Sequence, residues 1–334
     1  MKASLLTLLL AEGRALSDPL PVTSARIERA CEAPLAESAA RCATRGDIGF
    51  FGISFTDIPN GVADGIDEVR KAVREILRTR ADWIKLATTG GVLSTSDAPT
   101  SSQLTVEEIA TAVYEAAAQE KRCMAHAQGT QGIKNALQAG VASIEHGVYL
   151  TNELIDMMLS QGTYLVPTLI APISVVQFSQ AHPDLLPPMM AAKAVGVIEA
   201  HKKSFRMAVE AGVKIAMGTD SGVGRHGENG NELQLMVENG MTSMQAIQAS
   251  TSQAAQLLHL QDTLGTLEVG KLADVIIVNG DVLNDISKIA NPANIQLVLK
   301  AGRAAKNLLE EPVPVLSGSG VVTKASQSEK QGGP

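Results

Sequence analysis

The stretch MAHAQGTQGIKNALQAGVASIEHG, residues 124–147, decides how this chain folds. A short apolar run ends at His126, a segment of helical spacing closes on Gly140, and a second apolar run ends at His146. Apolar runs this short, separated by a helix-length segment, read as strand–helix–strand, a connection that makes the two strands parallel. The strands are apolar along their length, as parallel strands covered on both faces are. Gly140 suits the left-handed position that ends a helix. Equivalent ends of successive parallel strands lie on one rim, so a histidine at each can face a shared site.

The same alternation extends in both directions. Upstream, DGIDEVRKAVREILRTR reads as a helix that Asp64 or Asp67 can cap, with Val69, Val73, Ile76 and Leu77 on its apolar face. ADWIKLATTGG is a buried strand running into a glycine turn, and Thr105 with Glu108 opens the next helix as a capping box. Downstream, a helix ends at Gly162 and TYLVPTL is a strand. HPDLLPP is then a proline-rich loop, a long helix spans about 189–212, and VKIAMGTDSG is a strand ending at Asp220. Five units are legible, with strand ends at Lys85, His126, His146, Thr168 and Asp220. LGTLEVGKLADVIIVNG reads as a turn-rich pair of strands and NIQLVLKAGRA as another, a small β element after the α/β body. The expected organisation is an atypical segment over 1–47, an α/β body over 48–262, β strands over 263–311, and a Ser/Gly/Lys/Gln-rich disordered tail over 312–334.

Composition narrows the function. The chain has 334 residues, 45% of them apolar and only 3% aromatic, so its core is aliphatic. A net charge of −7 speaks against non-specific nucleic-acid binding and against a polybasic membrane patch. No apolar run reaches the ~20 residues of a membrane span. Cys31, Cys42 and Cys123 have no metal-binding spacing and read as buried thiols. The opening MKASLLTLLLAEGRA weakly resembles a signal peptide but lacks a good cleavage region, so the expected location is cytoplasmic, with export left open.

Four strand ends carry candidate ligands: Lys85, His126, His146 and Asp220. Imidazole and carboxylate suit Zn²⁺, and a catalytic zinc keeps one position for water. Singly, each residue has a plainer reading: a hydrogen-bonded structural histidine, an Asp that caps the next helix, a lysine that needs a partner. Set in strand order on one rim, they read together as a site. His182, His201 and His259 read as loop or helix-surface residues.

With these residues the sequence resembles the amidohydrolase superfamily of metal-dependent hydrolases, in its imidazolonepropionase-like and Xaa-Pro dipeptidase (prolidase-like) branch. The motifs that match are ADGIDEVRKAVRE, WIKLATTGGVLS, AHAQGTQGIKNALQAGVASIEHG, GTDSG and LGTLEVGKLADVIIVNGD, within residues 60–305. The resemblance implies a TIM-type (β/α)8 barrel followed by C-terminal β-sandwich strands. It implies that Lys85 is a carbamylated lysine bridging two zinc ions, that His126 and His146 hold the second, and that Asp220 binds the first. Asp220 is then also the catalytic proton carrier, taking a proton from water and passing it to the leaving amine. No other cofactor is implied. Tyr149, Arg225 and His226, just past strand ends, are the candidates for holding a substrate carboxylate.

The implied substrate is a small molecule or dipeptide, namely a dipeptide or N-acyl amino acid such as Xaa-Pro, cleaved at its amide bond. The alternative is a cyclic amide of the imidazolonepropionate kind. Whether the chain is a homo-oligomer is left open. The family's first barrel strand ends in His-x-His, and no histidine precedes His126 here. By family order the Lys85 strand is the fourth of eight, and residues 1–60 are too few for three βα units of ~30 residues each. The barrel is therefore expected to be incomplete at its N-terminus, leaving the first metal only Lys85 and Asp220 and the second Lys85, His126 and His146, a set able to hold one zinc, with impaired activity the stronger expectation and a non-catalytic fragment the competing reading.

Overall fold

The computed structural model describes Ala3–Leu6 and residues 61–309. The readings made for the remaining N-terminal residues and for the tail beyond 309 lie outside the described residues.

The parallel sheet forms as expected. It consists of β2 (Trp83–Ala87), β3 (Arg122–Ala127), β4 (Ser143–His146) and β5 (Tyr164–Val166), in that spatial order. The register pairs Ala87 with His126, His126 with Glu145 and Glu145 with Val166. The helices that connect them are α2 (Val106–Ala117), α3 (Thr130–Ala139) and α4 (Asn152–Gln161), with α1 (Ile66–Arg78) leading into β2. Among the described residues this is an arc of a TIM-type barrel and not a closed ring. Beyond β5, VKIAMG adds one parallel bridge, Leu165 to Ile215, in place of the expected strand. Lys214 and Ala216 bond Leu165, but the Met217 N–H turns away to the Ala249 carbonyl at 2.9 Å, so the ladder stops there.

Alternation along the strands separates two faces. Ile84, Leu86, Ala125, Ile144 and Leu165 join the buried cluster that includes Val69, Val73 and Ile76 of α1 and Ile109 of α2. Trp83, Met124, Tyr164, Val166 and Ala216 form a second cluster on the inner face. Lys85, His126 and Glu145 share the inner parity.

Local signals account for several helix ends. Thr105 and Glu108 make the reciprocal capping box on α2. Gly140 and Gly162 end α3 and α4 in the left-handed conformation. Neither Asp64 nor Asp67 caps α1: its N-cap is Gly65, at φ 83°, whose N–H goes to Glu108 Oε1 of α2 at 2.9 Å. The sequence gives no warning of α5 (Ile170–Ala181), which starts at Leu169 with no side-chain cap of its own. Its cap arrives from α7 (Gly230–Glu238): the fully buried Glu232 accepts from the N–H groups of Leu169 and Ile170, both at 2.8 Å. The long helix α6 (Pro188–Ala211) stands one residue from its expected bounds, and α8 (Ser243–Ser250) and α9 (Ser252–Leu257) complete the helical layer around this arc.

The C-terminal β element is a four-stranded antiparallel sheet in the order β1–β6–β7–β8, with β6 (Val275–Asn279), β7 (Ile295–Lys300) and β8 (Arg303–Asn307). The short helix α10 (Ser287–Ala290) lies between β6 and β7. LGTLEVGKLADVIIVNG supplies one strand of this sheet and not two. The fourth is β1, Ala3–Leu6, whose Leu5 pairs with Ile277. Thus a few residues from the unpatterned N-terminal segment close one edge of a sheet made from the far end of the chain.

Candidate active site

The site gathers where β2, β3 and β4 end. His126 is half-buried, and its Nε2 lies 3.1 Å from the Gly90 carbonyl in the loop after β2. A carbonyl only accepts, so Nε2 carries the hydrogen and, in a neutral ring, Nδ1 keeps the lone pair. The same loop runs close over the ring: a Cβ on Gly91 would stand 3.4 Å from its Cε1. His146 sits at the end of β4, buried, with Nδ1 2.6 Å from the Thr168 hydroxyl. The two imidazoles meet edge-on, with centroids 4.7 Å apart.

Alternation alone would send His146 to the outer face with Ile144. Its backbone departs from the strand instead, at φ 71°, and the ring comes beside His126. Thr168, just past β5, and Asp220, beyond the Leu165–Ile215 bridge, are also left-handed, at φ 52° and 55°. Such values are uncommon for non-glycine residues and an outlier for a β-branched one, and they concentrate where a fold holds side chains for chemistry. These three successive rim positions share the feature, and no sequence pattern announces it.

The electrostatics tie the cluster to Lys85. Burial pushes the His126 imidazole down to about 4, with the nearby Lys85 charge adding to the effect. His146 is pushed well below the ordinary histidine value by burial, then by His126 and Lys85. Burial thus disfavours the charged form of both rings. Burial raises the carboxyls of Asp220 and Glu145, and the Lys85 charge opposes the rise in each. Lys85 is thus the neighbour that two imidazoles and two carboxyls share.

These donors fit a divalent ion in part. Each imidazole has one nitrogen engaged by a backbone carbonyl or hydroxyl, the support that ligating histidines usually have, and the other nitrogen left for an ion. Yet among the described residues no three His, Cys, Asp or Glu side chains are grouped to hold an ion by themselves. Among the described residues, Lys85 is a further side chain whose charge acts on both imidazoles.

The other expected residues are dispersed. Tyr149 is half-buried on the rim beside the cluster of Val92, Val148, Val175 and Val197, and its N–H donates to the Gln128 carbonyl at 2.9 Å. Arg225 and His226 lie on the exposed loop between Asp220 and α7. Sequence reasoning missed three buried polar residues near the site: Glu145, whose Oε1 accepts from the Ser143 hydroxyl at 2.5 Å, Glu232 and His201. His201 is only 2% exposed, contrary to its reading as a surface residue. A signal existed, since Ala194, Val197, His201, Ser204 and Ala208 follow the spacing of one buried helix face.

Comparison with known proteins identifies the family and several relatives. The amidohydrolase family profile matches residues 21–305. The chain is similar to ochratoxinase from Aspergillus niger, 38% identical over 251 residues that make up 74% of this chain and 51% of that protein. It is similar to a solved Xaa-Pro dipeptidase with methionine bound in its active site, 40% identical with a TM-score of 0.73, covering 80% of this chain and 66% of the other. It is also 30% identical to imidazolonepropionase from Fusobacterium nucleatum over 152 residues, 44% of this chain and 30% of that protein. The chain spans about half the length of the ochratoxinase it matches.

Proposed function

The chain belongs to the amidohydrolase family, and from that premise we propose that it carries the hydrolytic site of an enzyme that cleaves an amide C–N bond. The preferred substrate is a dipeptide or N-acyl amino acid with a free carboxylate, such as Xaa-Pro. The observation that carries this reading is the pair of imidazoles, 4.7 Å apart and edge-on, with Lys85 as a neighbour acting on both rings and on Asp220.

Lys85, His126, His146 and Asp220 would hold the metal, with Lys85 as its carbamate, which turns a cationic amine into an anionic oxygen donor. A zinc ion, when bound, lowers the pKa of water and polarises a scissile carbonyl. The chain's own residues do the rest. Gly90 and Thr168 fix the two imidazoles through their second nitrogens. Asp220 takes the proton of the attacking water on its carboxylate and returns it to the leaving nitrogen, a base that becomes an acid. Burial raises its carboxyl from the ordinary value, and the Lys85 charge opposes that rise. Tyr149, Arg225 and His226 are the proposed holders of the substrate carboxylate, by hydroxyl, planar fork and ring N–H.

The similarity to imidazolonepropionase favours a second reading, ring-opening of a cyclic amide by the same groups. An assay of Xaa-Pro dipeptides, N-acyl amino acids and a cyclic amide, each with zinc and bicarbonate, separates the two. We expect dipeptide or N-acyl hydrolysis, lost by at least ~10²-fold in Lys85→Ala and Asp220→Ala, the scale of removing a group essential to proton transfer or metal binding. Full activity in either folded variant would refute the proposed site.

A further inference from the structure

We infer that His201 is a positioning residue for His146: from α6 its imidazole donates to the His146 carbonyl and holds that backbone in the left-handed conformation that aims the His146 ring at the site. This rests on the reading of His146 as a metal ligand.

The bond runs from His201 Nε2 to the His146 oxygen at 2.9 Å, between two buried residues. A carbonyl cannot donate, so Nε2 bears the hydrogen. One turn along the same helix face, the Ser204 hydroxyl donates to the Val148 carbonyl at 2.7 Å and accepts the Leu150 N–H at 3.0 Å. Helix α6 therefore grips the segment 146–150 by two side chains three residues apart, which share a face.

That segment needs gripping. His146 and Gly147 are both left-handed, at φ 71° and 63°, and His146 has a Cβ that disfavours the state. A hydrogen bond offered to the carbonyl at this point favours the left-handed arrangement over the extended one, in which alternation would turn the ring outward. With Thr168 holding Nδ1 and His201 holding the main chain, the ring is fixed at both ends, and Nε2 is the nitrogen left for an ion.

The test compares the unsubstituted chain with His201→Leu and His201→Gln. Thermal melts are run on each, and Zn²⁺ affinity is measured by competition with a chromophoric chelator. Loss of an outer hydrogen-bond partner of a metal ligand weakens binding by about 10–100-fold, and we expect that loss in the folded Leu variant. The Gln variant, whose amide N–H can replace the donor, should recover most of it. A purely structural His201 would lower the melting temperature without moving the zinc affinity, and a folded Leu variant that binds zinc like the unsubstituted chain overturns the inference.

Should the Leu variant fail to fold, the Nε2–H resonance of His201 in the unsubstituted chain decides, identified by its loss in His201→Gln. Slow exchange and a shift on adding zinc support the role, whereas fast exchange or no shift rejects it. If the unsubstituted chain binds no zinc, the metal reading fails separately, and the protection of that resonance still tests whether His201 holds His146.

Discussion

Glu232 shows what a single buried side chain can impose on the pH behaviour of this fold. It is fully buried, and two N–H groups at the start of α5 point at its carboxylate. Those bonds and the helix N-terminus favour the ionised form, but burial outweighs them and pushes the carboxyl up from 4.5 to about 8. Because the folded state then holds this proton more tightly than the unfolded chain, the contribution is complete below about 4.5 and is lost as pH rises toward about 8. Glu232→Gln cannot ionise, and it keeps one acceptor while turning an amide toward the second N–H. Denaturant unfolding should find this variant less stable at pH 5, by about 1–3 kcal/mol for an unsatisfied buried donor. The deficit should shrink or reverse at pH 9, where the native carboxyl is charged. An identical pH slope in both proteins would show that Glu232 is not the titrating group. The residue was illegible in the sequence because what it caps lies more than sixty positions away.

At the scale of elements, the sequence was informative wherever the deciding interaction is local. The capping box on α2 and the glycines that end α3 and α4 need only their neighbours. Where the partner is distant, the reading went astray: α5 is capped by Glu232, α1 starts on Glu108, and the strand expected at 213–220 is cut short by Ala249. The site divides in the same way. Lys85 and His126 are on the inner face by simple alternation, whereas the aim of His146 depends on a left-handed backbone and on α6. Packing between elements gives a further test at Gly132, in the first turn of α3. A Cβ there would stand 2.2 Å from the Thr89 methyl and 2.6 Å from the Thr88 carbonyl. Alanine in a helix ordinarily stabilises relative to glycine by ~1 kcal/mol. Here Gly132→Ala should instead destabilise by ~1–3 kcal/mol, as overpacking does, and denaturant titration gives the sign directly. Displacement would also be felt at the site, because Thr89 accepts the Gln128 N–H at 3.0 Å and precedes the Gly90 carbonyl that holds His126. A stabilised variant would mean that α3 and the β2 loop are less tightly apposed than the structure has them.

For the whole molecule, the proposed chemistry has a thermodynamic consequence that needs no substrate. The site concentrates two imidazoles, raised carboxyls and Lys85 where the backbone is left-handed at three positions. Such an arrangement is costly without an ion, and an ion that binds only the folded state returns stability to the entire cooperative unit. At a zinc concentration about 100-fold above its dissociation constant, the gain is ~2.7 kcal/mol. If Lys85 must become a carbamate to complete the donor set, bicarbonate should deepen that gain, and neither additive should reach its full effect alone. Lys85→Ala should abolish the bicarbonate dependence while leaving a smaller response to zinc from His126 and His146. Thermal melts of metal-stripped protein, with zinc, bicarbonate or both, measure all of this. A melting temperature that rises with zinc but ignores bicarbonate would leave the imidazole pair as a metal site and remove the carbamate from it. A temperature unmoved by either would remove the metal from the site altogether, and with it the mechanism that Asp220 is proposed to serve.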